Sequence, residues 1–113
     1  MDTRRIGSRY EQMASAFLLN MGYHILERNY HDRKGEIDLI ARHEGYLVFI
    51  EVKYRSGTHM GSPADAVDAR KQGRIRHTAQ YYMYTHHIGE DTPCRFDVVC
   101  ITGEHIEVIQ DAF

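Results

Sequence analysis

The stretch from Glu36 to Arg55 constrains the fold of this chain more than any other. Two apolar-rich runs, Glu36–Arg42 and Tyr46–Arg55, flank His43-Glu44-Gly45, the pattern of two strands joined by a tight turn. Successive strand residues face opposite sides, so a slip of one residue would move every side chain to the wrong face. One register sorts them. With Glu44-Gly45 as a two-residue turn, Ile37 pairs with Val52, Leu39 with Ile50 and Ala41 with Val48, giving a wholly apolar core face. The other face then carries Ile40 opposite Phe49, Asp38 opposite Glu51 and Glu36 opposite Lys53.

The remaining elements fall around this hairpin. Ile6, Tyr10, Met13, Ala14, Phe17, Leu18 and Met21 recur at helical spacing, predicting a helix over 5–21 with Gly22 as its stop. A strand follows over 23–30, then a polar turn over 31–35. After the hairpin, a Gly-rich loop over 56–61 leads to Ser62-Pro63, an N-cap and first helical residue, with Asp65 in the first turn. That helix runs to about His86, with a break near Asp68 or Gly73, and His86-His87 reads as a solvated helix end. Strands over 94–101 and 105–110 around Thr102-Gly103-Glu104 form a second hairpin. The order α-β-β-β-α-β-β predicts an α/β fold with a single mixed central sheet and flanking helices.

At 113 residues this is one domain, 1–113, with a 42% hydrophobic fraction sufficient for one modest core. There is no apolar run of membrane-spanning length and no signal-peptide pattern, so the expectation is a cytoplasmic protein without a membrane partner. Cys94 and Cys100 share one strand about 20 Å apart, beyond disulfide reach, and are expected as free thiols. The eight histidines lack the paired spacing of a structural zinc site.

Asp38 opposite Glu51 is where chemistry enters. Directly opposed carboxylates repel unless something neutralises them. A divalent cation of the magnesium kind, which takes one or two carboxylates and keeps several waters, would do so. Lys53 shares the face of Glu51 and could assist a water or stabilise charge on a phosphate. A solvated, charged sheet end with a Glu36–Lys53 ion pair is the plainer alternative, and these residues alone leave both open. Glu11 lies at the edge of the first helix's apolar stripe and can reach the same end of the sheet.

These residues also carry a resemblance. The string Gly7-Ser8-Arg9-Tyr10-Glu11, the GEIDLIA run 35–41, the FIEVKYR run 49–55 and the RFDVV run 95–99 look like the YraN-like family of uncharacterised bacterial proteins. That family resembles the PD-(D/E)xK nucleases, with the restriction-endonuclease-like fold, and in pattern the archaeal-type Holliday junction resolvases. The resemblance implies that Asp38, Glu51 and Lys53 stand at the motif's two acids and lysine, with Glu11 at the first-helix acid. Ile37 replaces the motif's proline, and Glu36 receives no superfamily role. It further implies Mg2+ or Mn2+ held by Asp38, Glu51 and Glu11, and an endonuclease acting on DNA, branched or otherwise structured DNA included. Resolvase-like relatives work as dimers, which makes a homodimer one expectation. A non-catalytic nucleic-acid-binding module and a protein-interaction domain are the alternatives.

A net charge of −2 argues against a strongly basic nucleic-acid binder. The distribution softens this: residues 1–80 hold 13 Lys and Arg against 10 Asp and Glu, and residues 81–113 hold 1 against 6. On the second helix Arg70, Arg74, His77, Tyr81 and Tyr84 form a basic and aromatic stripe flanked by Lys71 and Arg76, opposite Ile75, Ala79 and Tyr82. Arg55, Arg70, Lys71 and Arg74 are therefore the candidate phosphate contacts, while a merely solvated helix face would look the same. Glu11, Asp38, Glu51 and Lys53 together account for the whole net charge, so binding is expected to be local and metal-dependent.

Overall fold

The computed structural model describes residues 3–55 and 67–113, with the side chains of the first helix described from Arg9 onward. Helix α1 (Thr3–Asn20) precedes strands β1 (His24–His31), β2 (Glu36–His43) and β3 (Tyr46–Arg55); helix α2 (Ala69–Thr85) and strands β4 (Cys94–Thr102) and β5 (His105–Ile109) follow. The five strands form one sheet in chain order, antiparallel except for the parallel β3–β4 pair. A parallel pair needs a crossover, and α2 supplies it. The mixed sheet and the element order are those expected.

Each helix covers one sheet face. Ala14 and Leu18 of α1, with Tyr23, pack on Leu39, Ala41, Val48, Ile50, Val99 and Ile101. Ile75, Ala79 and Tyr82 of α2 pack on Ile37, Ile40, Leu47, Phe49, Val98 and Cys100. α1 ends where Gly22, at φ 92°, lets its amide bond Leu19 O and the Tyr23 amide bond Leu18 O, an arrangement that satisfies the last carbonyls. α2 ends the same way at His86 and His87, with His87 in the left-handed position (φ 55°) and the His87 and Ile88 amides bonded to Tyr84 and Met83 carbonyls.

The β2–β3 hairpin has the expected two-residue turn, Glu44 and Gly45 at φ 51° and 86°, and the expected register from His43–Tyr46 to Leu39–Ile50. Beyond that point the expectation fails. Ile37 belongs to the α2-side cluster and Val52 packs against the α1-side one, so they do not form a core pair. Residues 37 and 39 would share a face in a regular strand. In β1, whose Arg28 and Tyr30 pair with Leu39 and Ile37, the intervening Asn29 sits at φ 53°, and β2 changes faces beside it.

The Ser62-Pro63 cap and Asp65 lie outside the described residues. Within them, α2 starts after Asp68, whose Oδ1 accepts from the Lys71 amide at 2.8 Å, and Gly73 does not interrupt it. Replacing this cap, Asp68→Ala, is expected to cost about 1 kcal/mol, read as a lower urea midpoint with an unchanged slope. Neither Cys94 nor Cys100 forms a disulfide among the described residues.

Candidate functional site

The face change at Asp38 builds the site. Instead of a ladder bond to β2, the Val52 amide donates to Asp38 Oδ2 at 2.7 Å, which fixes this carboxylate at the opening between β2 and β3. Glu51, on the next turn of the pleat, is 6% exposed and lies close enough to Asp38 for a hydrogen bond between the two acids. Burial, then repulsion by Glu51, push the Asp38 carboxyl up to about 8, outweighing the Val52 amide. Near neutral pH Asp38 therefore holds a proton.

Lys71 Nζ lies 2.8 Å from Glu51 Oε1. Burial alone would lower Lys71, but the Glu51 carboxylate overrides it and holds the ammonium above its ordinary range. Lys53 moves the other way: burial and the neighbouring Lys71 pull it down. The site thus pairs two acids with two lysines of opposite tendency. Lys71, read from the sequence as a phosphate contact, is also the direct partner of Glu51.

Glu11 approaches from α1, raised by burial against an opposing hydrogen bond from Asn29, and it lies within electrostatic reach of Glu36 and Glu51. Among the described residues no group of three His, Cys, Asp or Glu side chains is gathered closely enough to hold a metal ion. Two carboxylates facing an open cleft nonetheless fit magnesium, which completes its shell with water. Lys71 balances Glu51, whereas no ion pair is formed by Asp38 among the described residues.

The cleft holds about 250 Å³ and is lined by Lys34, Gly35, Glu36, Asp38, Glu51, Lys71, Arg74 and Ile75. Of the expected phosphate contacts, Lys71 and Arg74 line it; Arg55 is exposed at the end of β3 and Arg70 is exposed in the first turn of α2. The expected stripe on α2 is divided: His77 and Tyr81 lie on the side of Arg33 and Lys34, whereas Tyr84 lines a separate groove with Arg76 and Phe96. Lys34 and Asn29 did not stand out in the sequence. The Asp-x-Lys-Gly string 32–35, a turn signal, was the available pointer to Lys34.

A second polar cluster surrounds Arg95 and Asp97, which pair with Val48 and Ile50 of β3. Arg95 donates through Nε to Asp97 Oδ1 (2.9 Å) and through Nη2 to Asp97 Oδ2 (2.9 Å), and the Tyr23 hydroxyl donates to Asp97 Oδ2 (2.7 Å). Its members are buried in protein contacts and line no cleft around Asp38.

The chain was compared with known proteins. Residues 10–101 match the model of Uncharacterised protein family UPF0102. A UPF0102 protein of Lachnoclostridium phytofermentans is 48% identical over 113 residues, covering all of this chain and 96% of its own. One from Shewanella sp. is 44% identical over 108 residues, covering 96% and 98%, and one from Symbiobacterium thermophilum is 50% identical over 98, covering 86% and 81%. With matches of this length and identity, the chain belongs to the YraN-like bacterial family UPF0102, whose members carry no assigned activity in that name.

Proposed function

We propose that this protein is a divalent-metal-dependent endonuclease that hydrolyses phosphodiester bonds in DNA, branched or otherwise structured DNA included. The observation that carries the reading is the Asp38–Glu51 pair, two carboxylates lining one cleft with Lys71 2.8 Å from Glu51 and Lys53 within electrostatic reach. Glu51 is matched by Lys71, whereas Asp38 faces the cleft with the Val52 amide as its hydrogen-bond donor.

Asp38 and Glu51 would hold Mg2+ or Mn2+, with Glu11 adding negative charge from α1. When bound, the ion supplies positive charge at the scissile phosphate. Lys71 and Arg74 hold the phosphate oxygens at the cleft wall. Lys53, its pKa drawn down, takes a proton from the attacking water at Nζ as the water oxygen forms a bond to phosphorus. The bond from phosphorus to the leaving oxygen breaks, and that oxygen takes its proton from solvent.

The test incubates the protein with supercoiled plasmid, single strands and branched junctions in magnesium or manganese, beside Asp38→Ala and Lys53→Ala. Cleavage is expected, falling at least about 100-fold in each variant. Absence of cleavage, or cleavage unchanged in both variants, would overturn the proposal.

A further inference from the structure

The turn between β1 and β2 is built with more care than a connection requires. Asp32 Oδ1 accepts from the Lys34 amide, the Gly35 amide and Thr78 Oγ1, each at 2.9 Å, and the Asp32 amide donates to Gly35 O at 3.0 Å. Thr78 is fully buried in α2, and the Asp32 side chain is only 7% exposed. Gly35 sits so close to α2 that a Cβ there would meet Thr78 Oγ1 at 3.0 Å and Arg74 Cβ at 3.4 Å. The turn is therefore locked onto the helix, with its one carboxylate covered.

What the lock leaves exposed is cationic and aromatic. His31, Arg33, Lys34, His77 and Tyr81 line, with the covered Asp32, a hollow of about 600 Å³. Lys34 also lines the Asp38–Glu51 cleft with Lys71 and Arg74, so the two depressions adjoin at its side chain. The Tyr81 residue is 48% exposed. Cations leading from a phosphodiester site to the exposed Tyr81 ring suit one backbone and one unpaired base; paired bases offer a ring nothing to stack on.

We infer that the hollow between the 31–35 turn and α2 binds an unpaired polynucleotide strand where it leaves the cleft, Arg33 and Lys34 on its phosphates and Tyr81 stacked on a base. This rests on the reading of the Asp38–Glu51 cleft as a phosphodiester site and narrows its substrate to nucleic acid with a single-stranded arm.

The test is fluorescence anisotropy with dye-labelled dT20, U20 and a 20-bp DNA duplex, in EDTA so that hydrolysis plays no part. The wild type is expected to bind a strand more tightly than the duplex. Tyr81→Ala should lose about 10-fold on the strand and little on the duplex. Arg33→Ala with Lys34→Ala should lower the salt slope by about 1.4, at about 0.7 per phosphate contact on single strands. Tyr84→Ala, exposed but in the separate groove, should bind as wild type. Preference for U20 over dT20 would support the strand site and assign it to RNA. Equal binding of strand and duplex, no binding of either, or a Tyr81→Ala loss no larger than that of Tyr84→Ala would overturn it. Failure of the nuclease reading appears elsewhere, as absent cleavage in magnesium with Tyr81-dependent strand binding intact.

Discussion

Asp38→Asn is expected to make the protein more stable and inactive at once. In protein stripped of divalent cations, the Asp38 carboxyl titrates near 8 in the folded state, against an ordinary value of 3.8. Between these values the folded chain keeps a proton that the unfolded chain releases, so wild-type stability is highest below pH 3.8 on this account and is lost as pH rises toward 8. Each pKa unit is worth about 1.4 kcal/mol, so the full span is on the order of 5 kcal/mol. An amide at position 38 still accepts from the Val52 amide and no longer repels Glu51. At pH 8 in EDTA the variant should gain about 2 kcal/mol or more, roughly 8 °C in Tm for a domain of this size, and the gain should shrink as pH falls toward 4. Added Mg2+ should raise the wild-type Tm and leave the variant's nearly unchanged. Thermal unfolding followed by circular dichroism reads all three effects. A variant less stable than wild type at pH 8 would show that Asp38 is a structural anchor, not a poised ligand.

The same residue shows where the sequence was legible and where it stopped being so. The hairpin register could be read because four β2–β3 pairs, from Arg42–Leu47 to Leu39–Ile50, follow one uninterrupted alternation around a turn that only Glu44-Gly45 geometry closes. That alternation carries no sign of Asn29 adopting a left-handed conformation on the neighbouring strand, nor of the Val52 amide choosing a carboxylate over the ladder. The Ile37–Val52 pair was lost for this reason, while Asp38 and Glu51 still met. Lys71 was placed on the right helix, but its contact with Glu51 could not be read, since helical spacing orders residues around an axis and says nothing of which sheet residue lies beneath. The family motif marked Glu51 and Lys53; the site adds Lys71, held charged by Glu51, while burial and then Lys71 pull Lys53 down. The RFDVV run was visible as a motif, but its polar residues were silent until Tyr23 and His43 came to them from the α1–β1 connection and β2.

Those residues carry the second large expected effect, which concerns folding alone. Asp97 is fully buried, and Arg95 is its one cationic partner among the described residues, making three hydrogen bonds to it while bonding Tyr23 Oη at 3.0 Å and facing His43 Nδ1 at 2.8 Å. The Asp111 amide closes the shell on Asp97 at 3.0 Å, and Gln110 donates to Tyr23 Oη at 3.1 Å. The cluster therefore ties the end of α1, the β2–β3 turn, β4 and the C-terminal residues into one unit. Arg95→Met would leave a buried carboxylate without a countercharge, at a cost of about 3–5 kcal/mol. A chain of this length has on the order of 10 kcal/mol of stability, so Tm should fall by roughly 12–20 °C. Asp97→Asn added to Arg95→Met removes the stranded charge while keeping acceptors for Tyr23 and Asp111, and it should recover part of the loss in a double-mutant cycle. A Tm within 2 °C of wild type for Arg95→Met would mean that Asp97 is neutral or reached by water. The cluster's side chains gather around Tyr23 and His43 and none of them lines the Asp38–Glu51 cleft, so cleavage per folded molecule in Arg95→Met, measured below its transition, should match the wild type.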